Sequence, residues 1–269
     1  MLGIFSCPRP VIGMVHLLPL PGSPRWGGDL RAVRERALAD ARALAEGGVD
    51  GLLVENFGDA PFLKGPVGPE TVAAMALLVQ AVADAVPLPV GVNVLRNDAR
   101  AALAIACLTG ARFVRVNVHT GVMLTDQGLI EGAAAEALRY RRWLGAERVK
   151  LLADILVKHG APLAPQTPEA AARDAAQRGL ADALIVSGAA TGLPPERETL
   201  LRVRETVAVP VLVGSGLTPD NVQELLTVAD GAIVGTSLKR EGRVEEAVDD
   251  RRVARLMERV RALRPLGAA

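Results

Sequence analysis

Short apolar, β-branched runs alternate with longer Ala/Leu/Arg/Glu-rich segments along the whole chain. The short runs predict strands at 11–16, 51–55, 89–94, 113–118, 149–155, 183–187, 211–214 and 232–235. They are apolar almost throughout, as strands covered on both faces of a parallel sheet must be. The longer segments carry apolar residues at helical spacing. They predict helices at 29–46, 70–85, 98–109, 133–145, 168–178, 195–206, 218–228 and 249–264. Asp29 and Asp98 stand at N-cap positions, and Thr218-Pro219 puts proline in a first helical turn. Eight strands alternating with eight helices predict a single domain over residues 1–269, an α/β fold closed as a (β/α)8 TIM barrel. A doubly wound open sheet is the alternative, but no glycine-rich dinucleotide fingerprint follows the first strand. A faint similarity between residues 49–54 and 181–186, four strands apart, also favours the barrel.

The C-terminal ends of these strands turn polar. Side chains alternate across a strand, so one set faces the barrel axis and the other the helices. The valines at 114, 116 and 118 suit the helix side, which puts Arg115, Asn117 and His119 on the inward side. Glu55 alternates with Leu53, and Asn93 lies between Val92 and Val94. His16, Asp154 and Ser187 end their strands. Unpaired charge in a packed core costs several kcal/mol. Such ends therefore predict an active-site mouth where barrel enzymes carry it. The three histidines, His16, His119 and His159, all fall at or just after these ends, and imidazole suits proton transfer near neutral pH. Glu55, Asp154 and His119 are the candidate acid–base groups, with His16 or His159 as second proton carrier. Arg115 and Asn93 would orient substrate or stabilise developing negative charge. Lys158, just beyond the fifth strand, is a weaker candidate for imine chemistry. A divalent metal on Glu55, Asp154 and a histidine stays open, although no local ligand spacing announces it.

Glycines follow the last two strands, in Gly214-Ser215-Gly216 and Gly235-Thr236-Ser237. In such barrels these loops, with a helix start, commonly grip phosphate through backbone N–H groups. Ser187-Gly188 would form a third edge. The expected ligand is a small phosphorylated molecule. Two long segments, 13–26 with prolines at 19, 21 and 24, and 117–132, are expected as loops at the mouth. The charged stretch 239–264 reads as a solvated terminal helix.

Composition narrows the picture further. Half the residues are hydrophobic and 23% are charged, which supports a large core and excludes disorder. A net charge of +1 and 3% aromatics argue against nucleic-acid binding. Cys7 and Cys107 form no disulfide framework. Neither a signal peptide nor a membrane-spanning run is visible, so a cytoplasmic protein is expected. Barrels of this kind often pair through exposed helices, so a homo-oligomer is an expectation too.

Several longer strings carry a family resemblance. They are residues 13–24 (GMVHLLPLPGSP), 48–62 (GVDGLLVENFGDAPF), 89–98 (PVGVNVLRND), 113–121 (FVRVNVHTG), 126–132 (DQGLIEG) and 153–159 (ADILVKH). In this order, over nearly the whole chain, they resemble the BtpA/SgcQ family. The resemblance implies a barrel similar to the ribulose-phosphate-binding barrels. It also implies a role in photosystem I accumulation for the cyanobacterial members, and no settled reaction. The family's motif residues fall here on His16, Glu55, Asn56, Asn93, Arg96, Asn97, Asp98, Arg115, Asn117, His119, Asp154, Lys158 and His159. Two functions follow as expectations: acid–base catalysis on a phosphorylated metabolite, or a non-catalytic assembly factor with an exposed apolar patch or a peripheral membrane association.

Overall fold

The computed structural model describes residues 1–264. Its strands are β1 (Val11–His16), β2 (Gly51–Glu55), β3 (Val90–Asn93), β4 (Phe113–Val116), β5 (Val122–Thr125), β6 (Gly128–Glu131), β7 (Lys150–Ile155), β8 (Gly160–Pro162), β9 (Ala183–Val186), β10 (Val211–Val213) and β11 (Gly231–Val234). Eight of them close a parallel barrel in the order β1-β2-β3-β4-β7-β9-β10-β11. The helices are α1 (Leu30–Gly47), α2 (Pro69–Ala85), α3 (Ala99–Thr109), α4 (Ala134–Trp143), α5 (Pro168–Arg173), α6 (Arg197–Thr206), α7 (Val222–Leu226) and α8 (Asp250–Ala262). No described helix is long and apolar enough to cross a membrane.

Alternation along the strands builds two apolar layers. Val11, Val15, Leu52, Val54, Val92 and Val114 pack outward against the helices. Ile12, Met14, Leu53, Phe113, Leu152, Ile185, Leu212 and Ile233 fill the axis. Phe5 plugs the lower end, its ring 6.1 Å from that of Phe113. The lower barrel is thus solid, and only the polar upper layer is left to form a site.

That lower end is also stapled. Asp50, Asp182 and Asp230 each stand just before a strand and accept the backbone N–H of the preceding barrel strand: Val11, Leu151 and Val211, at 2.8, 2.8 and 2.9 Å. Each is ion-paired to an arginine, Arg264, Arg141 and Arg204 respectively. The similarity between 49–54 and 181–186 therefore includes a shared strand clasp.

Three expectations are corrected. Segment 117–132 is not an open loop. β5 and β6 form a hairpin within it, and β8 joins to make a three-stranded antiparallel sheet. Met123 and Ile130 face inward there and Leu124 and Leu129 outward, an alternation too short to stand out in the sequence. The helix expected at 218–228 shrinks to α7. The Thr218 hydroxyl accepts N–H groups of Asp220 and Asn221, and Asn221 Oδ1 accepts that of Thr218; turn bonding outcompetes the helix over these residues. Nor is 239–264 one solvated helix. Lys239 is buried with its Nζ 2.8 Å from Asp40, and α8 starts only at Asp250, capped by Asp249.

Candidate active site

A cavity of about 620 Å³ opens at the C-terminal end of the barrel. Its floor is built by strand ends. The register sets His16 beside Glu55 and Glu55 beside Asn93. Asn93 Nδ2 donates to Glu55 Oε2 at 2.5 Å, and His16 Nε2 lies 3.7 Å from Glu55 Oε1. The His16 ring rests on Phe57, centroids 4.7 Å apart. Glycine at 235 leaves the His16 ring its place: a Cβ there would stand 2.9 Å from His16 Cε1 and push the ring aside.

Burial dominates the electrostatics. It pushes the Glu55 carboxyl above its ordinary range, against the opposing pull of the Arg115 and Lys158 charges. It holds His16 well below the usual imidazole value, helped by the positive charges of Lys239, Lys158 and Arg115. His16 is therefore a neutral imidazole at neutral pH, and its buried Nδ1 has no partner. Glu55 is poised to hold or release a proton.

Beside this pair lies a buried ion pair. Arg115 donates through Nε and Nη2 to both oxygens of Asp154 at 2.8 and 2.9 Å. Asn117 Nδ2 adds a bond at 3.0 Å, and the Ser187 hydroxyl lies 3.4 Å away. Asp154 is thereby saturated and sits behind Arg115, which lines the cavity. The Asn117 Oδ1 is buried without a partner.

Lys158 and His159 stand at the rim of the cavity. Burial and the Arg115 charge bring the Lys158 amine down to about 8. His159 is exposed, its Nε2 3.1 Å from the Thr191 hydroxyl.

His119 does not reach this cavity. β4 ends at Val116, so the two-residue alternation no longer holds at 119. The ring turns outward instead, with Nε2 2.7 Å from the Gly179 carbonyl. Burial lowers its pKa. Of the three histidines, His16 and His159 line the cavity and His119 does not.

The glycine loops divide in the same way. Gly214, Gly235 and Thr236 line the cavity. The Ser215 hydroxyl donates to Leu193 O at 2.7 Å and that of Ser237 to Leu217 O at 2.6 Å. Gly188 and Gly216 lie under the backbone of residues 193–194. A Cβ at Gly216, which has φ +71°, would meet Pro194 N at 2.1 Å.

Sequence reasoning did not single out Arg25, Arg36, Phe57 or Thr191, yet all line the cavity, as does Asp126 of the long segment 117–132. Arg36 comes from α1, and the others from segments between elements. The signal for Arg25 and Asp126 was the length of the two mouth segments. Other motif residues serve as clips. Asn56 pairs with the backbone of Leu95, Asn97 with that of Val118, and Asp98 caps α3 while accepting the Val67 N–H. No group of three metal-ligating side chains occurs among the described residues, and Asp154 is committed to Arg115 and Asn117.

Comparison with known proteins agrees with this architecture. The family model described as BtpA family matches residues 7–262. The chain is 56% identical over 255 residues to the photosystem I biogenesis protein BtpA of Synechocystis, covering 94% of this chain and 88% of that one. It is 50% identical over 256 residues to an uncharacterized protein of Thermococcus kodakarensis, covering 95% and 97%. Among solved structures it resembles phosphoribosyl anthranilate isomerase from Thermus thermophilus, with a TM-score of 0.56 at 14% identity, covering 95% and 100%. At that identity the likeness establishes a common fold.

Proposed function

The chain belongs to the BtpA family, and from its barrel mouth we propose an enzyme that acts by acid–base chemistry on a small phosphorylated metabolite. The observation that carries this reading is a convergence: Glu55 and His16, both shifted by burial, face the same cavity as Gly214, Gly235 and Thr236. Glu55 is the proton carrier, held by Asn93. Neutral His16 donates or accepts a hydrogen bond at the reacting oxygen. The phosphoryl group rests against Gly235 and Thr236, whose backbone N–H groups donate to no carbonyl in the described residues. Arg25, Arg36, Arg96, Arg115 and Lys158 line the cavity against Glu55, Asp126 and Glu245, an excess of basic groups that favours an anionic ligand. Shared architecture with a phosphoribosyl anthranilate isomerase supports the ligand class.

Thermal unfolding with ribose 5-phosphate, inorganic phosphate and unphosphorylated ribose tests this. The phosphorylated ligand is expected to stabilise the protein by about 2.7 kcal/mol at a hundredfold excess over Kd, with ribose silent. Thr236→Glu, which sets a negative charge against the phosphoryl group, is expected to abolish the shift while folding normally. Equal shifts from ribose, or none from any phosphate compound, would remove the substrate class.

A second reading, an assembly factor, draws on the name of the Synechocystis relative and on one observation. Leu124 and Leu129 pair across the β5–β6 ladder with 53% and 43% of their surface exposed, next to Leu163 at 61%. If that apolar face carries the function, Leu124→Ser/Leu129→Ser abolishes complementation of a strain lacking the relative. The catalytic reading expects the double variant to complement fully.

A further inference from the structure

The chain has four lysines. Lys64 is exposed, Lys150 pairs with Asp182 at the lower end of the barrel, and Lys239 is buried against Asp40. Only Lys158 lines the cavity. Among the described residues its Nζ makes no ion pair, although Glu55 and Asp154 lie close enough for their charges to be felt there.

The backbone holds this amine in place. Arg96 Nη2 donates to the Lys158 carbonyl at 2.6 Å. Leu156 and His159, on either side of it, both adopt left-handed backbone, at φ 51° and 56°. Two bulky non-glycine residues in that region within four positions are costly, and such strain gathers at functional sites. The chain turns sharply here and presents Lys158 to the cavity.

We propose that Lys158 is a nucleophile that forms an imine with a phosphorylated aldehyde or ketone, its phosphoryl group seated at Gly235 and Thr236. This rests on the acid–base reading above and names the substrate class for it. The Nζ lone pair attacks the carbonyl carbon while the C=O electrons move to oxygen, which takes a proton from the Glu55 carboxyl. The nitrogen loses a proton to the Glu55 carboxylate just formed. That proton then passes to the carbinolamine hydroxyl; the C–O bond breaks, water leaves, the nitrogen lone pair forms the protonated imine C=NH⁺, and the Glu55 carboxylate takes back that N–H proton. The balance is amine plus carbonyl giving imine plus water, with no oxidant or reductant. A raised Glu55 carboxyl suits this shuttle. An amine near 8 leaves about a tenth in the nucleophilic form one pH unit lower.

The test is reductive trapping. The full chain is incubated with glyceraldehyde 3-phosphate or unphosphorylated glyceraldehyde and sodium borohydride, then mapped by peptide mass spectrometry. The expected result is one adduct per chain, on the Lys158 peptide. It forms at least tenfold faster than on Lys64 or Lys150, speeds up as pH rises through about 8, and is slowed by inorganic phosphate. Lys158→Arg keeps the charge and loses the adduct; equal denaturation midpoints for variant and parent show that folding is not the cause. Adducts spread evenly over Lys64 and Lys150, or none on Lys158, overturn the proposal. Phosphate-dependent thermal stabilisation without an adduct refutes the nucleophile and keeps the phosphate reading. A Lys158 adduct formed equally with both aldehydes and insensitive to phosphate keeps the nucleophile and refutes the phosphate seat.

Discussion

Arg115→Ala is expected to destabilise the fold by about 3–5 kcal/mol, the cost of leaving a buried charge without its partner. The Asp154 carboxylate has 0% of its side chain exposed and takes two bonds from Arg115. Removing the guanidinium leaves Asn117 and Ser187, neither of which carries charge. The double variant Arg115→Met/Asp154→Leu should regain most of the loss, because two apolar side chains need no partner. Urea denaturation of the three proteins decides it, provided the slopes agree. A loss below about 1 kcal/mol for the single variant would mean that cavity water solvates Asp154, and the pair would then be no structural keystone. The pair positions the floor of the mouth. In the proposed reading the proton chemistry falls to Glu55 and His16, with Lys158 as nucleophile.

Glu55→Gln is expected to have opposite effects on stability and on function. Burial raises the Glu55 carboxyl above its ordinary value of 4.5. In the folded chain the acid form is therefore preferred. The sign follows: native stability is highest below the unfolded value and falls as pH rises through the raised folded one. Glutamine keeps the shape and accepts the Asn93 bond, but never ionises. The variant should therefore be the more stable protein at neutral pH and lose the wild-type decline between acid and neutral conditions. Denaturation midpoints from pH 4 to 8 measure this; parallel profiles for the two proteins would show that folding leaves the Glu55 proton affinity unchanged, against the burial argument. Function should fall by roughly 10²–10⁴-fold, the usual worth of one positioned proton carrier. Photosystem I content in a Synechocystis strain lacking the 56%-identical relative gives a readout. Full rescue by Glu55→Gln would sink the catalytic reading and favour the assembly factor.

Much of this site was legible because strand periodicity carries across a whole barrel. Glu55 and Arg115 are each two residues from an axis-filling neighbour, Leu53 and Phe113, and Asn93 is two from Gly91, whose missing side chain leaves that space to the Phe113 ring. Their inward direction therefore needs only alternation. Where the strand stops the rule stops, and His119 shows it: three residues past the end of β4, its ring finds the Gly179 carbonyl instead of the cavity.

The chain's own sequence determined the alternation of strand and helix, hence the parallel barrel, its solid apolar lower half and its polar upper ends. Those are periodic properties, repeated eight times and insensitive to any one residue. Only the tertiary structure decided which polar groups share the cavity. Ser215 and Ser237 spend their hydroxyls on carbonyls, Asp154 is consumed by Arg115, and Arg36 arrives from a helix. These outcomes depend on distances between residues far apart in the chain, which no local pattern encodes. Lys158 is the sharpest case: a lysine beyond a strand end gains its low proton affinity only from the burial and the Arg115 charge that folding brings to it.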